Sequence, residues 1–423
     1  MLQVGALAVG GLTLSDLLRH RAQAAPAATK DVPTAVIQVF MGGGPSHIDL
    51  YDLKPQAPAE IRGEFRPIPT SVPGVQVSEL LPHLSRVMHR VALVRSVTHG
   101  NASHLPASHW MMTGHQPPPS TTGNVNPSLG SIVARTRGSN VASLPAYVSI
   151  PRRQLLGASA YLGPAYNPFT PESDPNSDSF AVRNLNLPLG VDPARVDDRR
   201  GLLTQLDRMR AGADRFGELA GVDRFAREAL DIVSGDQAQA AFDLKRESTA
   251  TRERYGRTSA GQGCLLARRL VEAGVTFVTV LSGGEWDTHR DNFSLLKTSV
   301  PPIDRALAAL FTDLYERGLD RRVLVLVTGE FGRTPGINRD AGRDHWPGAF
   351  SVLFSGGGLS VGRVLGATDE RAMYPTTHAY SPGDVLSTVY GFLGIDTSRE
   401  FHDRSGRPLR ILTEGAPIAE LLA

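Results

Sequence analysis

The chain alternates short β-branched runs with longer amphipathic stretches. "TAVIQVFM" (34–41) is apolar almost without a break and runs into Gly-Gly-Gly, the pattern of a strand buried on both faces. "VALVRSV" (91–97), "LPAYVSI" (144–150), "VTFVTVL" (275–281), "RVLVLVT" (322–328) and "FSVLFSGGG" (350–358) predict further strands of this kind. Between them, apolar residues recur at helical spacing in "VSELLPHLSRVMHR", "SLGSIVART", "PPIDRALAALFTDLYERGL" (301–319) and "SPGDVLSTVYGFLGI" (381–395). The prolines at 301 and 302 are read as a helix start, where a missing N–H is harmless. Strands alternating with helices predict an α/β fold with a mostly parallel central sheet.

Two regions break the alternation. Residues 157–195 hold "NPFTPESDPNSDSF", the composition of an exposed excursion. From about 196 to 272 the pattern is helical with charged faces. Together they read as an insertion at about 157–272 within one large domain, 31–423. Residues 1–30 stand apart. "LQVGALAVGGLTLSDLL" is apolar but too short to span a bilayer. "AQA" at 22–24 has the form of a small-residue cleavage site, followed by a linker, "APAAT". The segment resembles the later part of a twin-arginine export signal whose basic region lies upstream of Met1. It predicts an exported protein, periplasmic or extracellular.

Composition narrows the function. Lys+Arg 44 against Asp+Glu 42 gives a net charge of +2, no electrostatic case for nucleic acid. The single cysteine, Cys264, excludes an internal disulfide and a thiolate metal cage. Its amphipathic surroundings, "GCLLARRLVEAGV", suit an inert buried thiol.

The chemistry gathers at strand ends, where open α/β sheets bind ligands. After 34–41 come Ser46, His47, Asp49 and Asp52. After 91–97 comes "HGNASHLPASHWMMTGHQPPP", with His99, His104, His109 and His115. After 275–281 come Asp287, His289 and Asp291; after 322–328 come Glu330, Arg333 and Thr334; just before 350–358 come Asp344 and His345. Seven of the twelve histidines lie in these loops. Each motif alone has a structural explanation, such as a cap, a turn or an Arg–Asp pair. Their convergence favours a divalent-metal site. Imidazole and carboxylate without thiolate suit Zn, Mn, Fe, Mg or Ca, as one ion or two. Arg333 is the residue expected to hold an oxygen of a tetrahedral anion.

The series "FMGGGPSHID", "HLPASHWMMTGHQP", "GEWDTHRDNF", "VTGEFGRTP", "GRDHWPGAFSVLFSGGG" and "GRVLGATDE" resembles the domain-of-unknown-function family 1501 (DUF1501), sulfatase-like bacterial proteins of the alkaline phosphatase superfamily. The resemblance covers about 34–400. It implies an alkaline phosphatase-like three-layer sandwich with a helical insertion, and hydrolysis of phosphate or sulfate esters. It assigns Asp287, His289 and His345 to one ion, and Asp49, Glu330 and His104 to a second. Laid on the sulfatase pattern, His104 occupies the place of the Cys/Ser nucleophile. Ser46 and Ser108 are then the candidate nucleophiles, together with Ser103, or water attacks with no covalent step. The Asp-His pair expected after 322–328 is Glu330-Phe331, so His104 or His109 is expected to supply the missing imidazole. The expected partner is a small-molecule or glycan ester. The alternatives are a non-catalytic metal- or glycan-binding pseudoenzyme and a transferase on the same scaffold.

Overall fold

A computed structural model of the protein describes residues 33–118, 122–182 and 236–422. The expected leader, residues 1–30, and residues 183–235 of the expected insertion lie outside the described residues.

The six predicted strands form, with one more, a single seven-stranded sheet. They are β1 (Ala35–Phe40), β2 (Ala92–Val97), β3 (Tyr147–Ile150), β4 (Phe277–Leu281), β5 (Val323–Thr328), β6 (Phe350–Gly356) and β7 (Arg363–Leu365), in the order β7-β2-β6-β5-β1-β4-β3. Only β6 runs against its neighbours, β2 and β5; the other pairings are parallel. That reversal matters for the site. The carboxyl ends of β1 to β5 and the amino end of β6 meet at one edge, so every loop singled out by its polar residues faces the same side.

Both faces of the sheet are covered, as continuous apolar strands require. Ile37 and Val39 of β1 pack with α3 (Ser259–Ala273) and α4 (Asn292–Glu316). Val36, pointing the other way, shares a second core with α2 (Leu129–Arg137) and α5 (Pro382–Phe392). The result is a mixed α/β fold of three layers. The helix α1 (His104–Thr113) follows β2 and ends at Gly114, in the left-handed conformation with φ 78°. Helix α3, at the end of the expected insertion, packs within the first core beside α4. Its Cys264 is buried, and burial pushes the thiol up to about 12, so it is inert. No helix among the described residues is long and apolar enough to cross a membrane.

Two helix boundaries differ from expectation. Helix α4 begins at Asn292, and Pro301 and Pro302 lie inside it. Phe293, Leu296, Val300 and Ile303 continue one buried stripe across the prolines. The carbonyls that lose their helical donors belong to the exposed residues Lys297 and Thr298, within reach of water. The stretch expected as one long helix is instead a strand, Gln76–Ser78, and a short helix, Pro82–Val87. Its first amides are capped from a distance: His83 and Leu84 N–H donate to Asp304 of α4 at 2.9 and 2.7 Å.

Candidate metal centre

The shared sheet edge brings together His104 from the start of α1, Asp287 and His289 from the β4 loop, Glu330 from the β5 loop and His345 from the segment before β6. Three imidazole Nε2 atoms surround one carboxylate. His104 Nε2 lies 3.2 Å from Asp287 Oδ2. His289 Nε2 and His345 Nε2 each lie 3.1 Å from Asp287 Oδ1. The two latter nitrogens are 2.9 Å from each other. Ligand atoms of His104, Asp287 and His345 all fall within 4.8 Å of one another.

The opposite ring nitrogens explain this orientation. His104 Nδ1 is 2.6 Å from Glu330 Oε1, His289 Nδ1 is 2.7 Å from Asp344 Oδ1, and His345 Nδ1 is 2.7 Å from the Ala102 carbonyl. Each partner is an acceptor, which assigns the proton to Nδ1 and turns the Nε2 lone pair inward. An imidazole Nε2 and a carboxylate oxygen 3.1–3.2 Å apart attract only through a shared positive charge, a metal ion or a proton on Nε2. His104 Nε2 is buried and, despite its closeness to Asp287, makes no hydrogen bond. An imidazole held at one nitrogen by a carboxylate or carbonyl and open at the other is the arrangement of a metal-ligating histidine.

The loops are held as tightly as the rings. Glu330 is buried and accepts from Gly43 N–H at 2.9 and 3.1 Å, tying the β5 loop to the β1 loop. Gly43 has φ +117°, and a Cβ there would lie 3.0 Å from Asp287 N and from Trp286 Cβ, so only glycine fits. Arg333 is wholly buried. Its guanidinium donates to Asp287 Oδ1 at 2.5 Å and to the carbonyls of Gly43, Gly44 and Arg343. The side chain expected to hold an anion therefore positions Asp287, with four of its five donors engaged within the protein.

Charge follows from these contacts. Burial raises Asp287, but the Arg333 guanidinium outweighs it and brings the carboxyl down to about 2. The hydrogen bond to Glu330 pushes His104 above the usual histidine value, against the lowering effect of burial. Burial lowers His345, against the pull of Ala102 and Asp287.

Other expected residues lie elsewhere. Asp49 is buried in a bidentate pair with Arg343, at 2.7 and 3.0 Å, and also accepts from Ser46 Oγ at 2.6 Å and Asn292 Nδ2 at 2.9 Å. The second ligand set, Asp49 with Glu330 and His104, is thus divided between two places, and Ser46 is bound to Asp49. His109 is buried too. Its Nδ1 meets the His115 carbonyl at 3.0 Å, and its Nε2 accepts from Val125 and Asn126 N–H at 3.3 Å each. Ser108 lines a cavity of about 280 Å³ that His104, Asp287 and Glu330 also border. Sequence reasoning missed Arg343 and the anchoring roles of Asp344 and Ala102. Only Asp344 carried a signal, its place beside His345.

Similar solved structures are distant. Ps i-CgsB is 11% identical with a TM-score of 0.38, over 86% of this chain and 73% of that one. The PsFucS1 sulfatase from Pseudoalteromonas sp. is 11% identical with a TM-score of 0.38, over 90% and 70%. A mutant TAB5 alkaline phosphatase is 10% identical with a TM-score of 0.34, over 81% and 96%. These likenesses concern the fold alone. No curated protein matches the chain. The family resemblance of the strand-end motifs has a direct counterpart in sequence: the profile of the family described as "Protein of unknown function (DUF1501)" matches residues 33–422, nearly the whole chain, and the protein belongs to that family.

Proposed function

We propose that the protein is a divalent-metal-dependent hydrolase of phosphate or sulfate esters, exported from the cytoplasm. The observation that carries this reading is the set of three imidazoles, each anchored at Nδ1, with their Nε2 atoms gathered on Asp287. The donors fit a borderline cation: nitrogen and carboxylate oxygen without sulfur, and an unpartnered buried Nε2 on His104. His104, Asp287 and His345 would hold it, with His289 beside them. A cation bound there supplies Lewis acidity to an ester oxygen and eases deprotonation of water.

The protein's own groups do the rest. Glu330, Asp344 and the Ala102 carbonyl hold the three rings at Nδ1, so each Nε2 is aimed at Asp287, and a cation would displace any proton it carries. Arg333 keeps Asp287 ionised and aimed. Ser108 stands one helical turn beyond His104 on the same face and borders the same cavity; its hydroxyl has no hydrogen-bond partner among the described residues. That makes it the candidate hydroxyl nearest the substrate. The leader-like residues 1–30 support export, which would bring the enzyme to esters outside the cytoplasm.

The test is hydrolysis of aryl phosphates and aryl sulfates after removal and return of Zn, Mn, Fe, Mg and Ca. Turnover that appears with one of these cations and falls roughly 100-fold or more in Asp287→Asn supports the reading. The engagement of Arg333 within the protein favours a second reading, a metal-binding pseudoenzyme. Cation binding with no ester turned over would assign it.

A further inference from the structure

The cavity beside the cluster differs on its two sides. One side is the candidate metal centre, with His104, Asp287 and Glu330. The other is made by Phe40 at the end of β1, Leu105 of α1, and Leu155 and Leu156 from the loop after β3. Polar groups on this wall are few. Ser108 offers its hydroxyl. Gln154 has its Oε1 taken by Leu156 N–H at 2.5 Å, and only its amide NH₂ lacks a partner among the described residues.

The exposure pattern points to the same place. Four large hydrophobic side chains are exposed among the described residues, and Leu155, at 63%, is the most exposed of them. Val125, at 48%, is a second. It adjoins Asn124, which binds the Leu155 loop through the Leu156 carbonyl at 2.9 Å and Ala158 N–H at 3.0 Å. An isolated exposed leucine needs no explanation. One that lines a cavity together with Phe40, Leu105 and Leu156 does, because water there wets a continuous apolar surface.

We infer that this wall is the subsite for the alcohol portion of the ester, and that this portion is an apolar ring or short hydrocarbon. The inference rests on the ester-hydrolase reading for the nature of the occupant. A cavity of about 280 Å³ suits one ring-sized group. A sugar in the same space would bury several hydroxyls against leucine and phenylalanine, with two polar side chains to meet them. The anionic ester head is directed to the cluster, and the apolar group to Phe40 and Leu155.

The experiment uses the full chain incubated with Zn, Mn, Fe, Mg and Ca in turn, and probes whose C–P bond is inert to hydrolysis, so that binding is read without turnover. Phenylphosphonate and the phosphonate analogue of glucose 6-phosphate, two anions of opposite polarity in the attached group, are compared by saturation-transfer NMR and titration. The phenyl protons are expected to receive saturation and the sugar protons none. Leu155→Asp, at an exposed position where the fold tolerates it, is expected to weaken phenylphosphonate about ten-fold, and Leu155→Phe to preserve it. Equal saturation of the sugar, or a phenyl affinity indifferent to Leu155→Asp, overturns the inference. The two readings fail separately. Leu155-dependent phenyl binding in a protein that takes up no cation leaves the subsite standing and removes the hydrolase reading. Cation uptake without phenyl binding does the reverse.

Discussion

Two aspartates in strand-end loops each meet a buried arginine, and the two pairs differ in what else surrounds them. Asp49 and Arg343 are both inaccessible, and every neighbour of Asp49 is a donor: the guanidinium, Ser46 and Asn292. Asp287 also has its arginine, Arg333, but its side chain is 39% exposed and three imidazole Nε2 atoms face it. The first pair is satisfied and closed. The second gathers three imidazoles on one carboxylate and opens on a cavity. An acidic side chain near a ligand-binding edge is therefore no sign of a site by itself; several potential ligand atoms converging on it, with access, are.

The largest expected effect breaks the closed pair. Arg343→Met leaves Asp49 charged and buried, and should lower stability by about 3–5 kcal/mol in urea unfolding. The folded fraction should still take up cation. Adding Asp49→Leu should restore part of the loss, because the uncompensated charge goes with it.

His109 belongs with the closed pair and allows a pH test. Burial lowers it from 6.5 to about 4, against the pull of the His115 carbonyl. The unfolded chain thus binds the extra proton first, and stability falls as pH drops from about 6.5 towards 4. The full loss from this one group is about 3 kcal/mol. Unfolding free energies at pH 7 and pH 4 should differ less in His109→Asn than in the parent. Equal pH dependence in both would show that His109 takes up its proton normally in the fold.

The open cluster should respond the other way. Asp287→Asn should weaken cation binding by roughly 100-fold, read by titration calorimetry. It should cost only about 1–2 kcal/mol of stability, since three backbone carbonyls still accept from Arg333. A loss as large as that of Arg343→Met would erase the distinction between the pairs. The smallest effect is expected one contact further out. Asp344→Asn loosens the His289 anchor and should weaken cation binding by about ten-fold without a change in stability.

Much of this was legible in the residues. Strands buried on both faces declare themselves by unbroken apolar runs, and the polar residues after them did converge on one edge. The antiparallel β6 even explains why His345, before its strand, joins residues that follow theirs. What failed had long-range causes. Arg343 reaches Asp49 across 294 residues, and no local pattern announces it. The cap on the helix Pro82–Val87 comes from Asp304, more than 200 residues on. His109 was a different miss. It lies five residues beyond His104 on one helix, about 140° round, so the two face different ways. Ser108, four residues on, shares the His104 face.

The most direct test is the metal content of the full chain after incubation with Zn, Mn, Fe, Mg and Ca and exhaustive dialysis, measured beside a His104→Ala, His345→Ala double variant of unchanged fold. About one equivalent of one cation in the parent, absent from the variant, is the expected result. A parent that retains none of the five, or a variant that retains as much as the parent, contradicts a metal centre built on His104, Asp287 and His345.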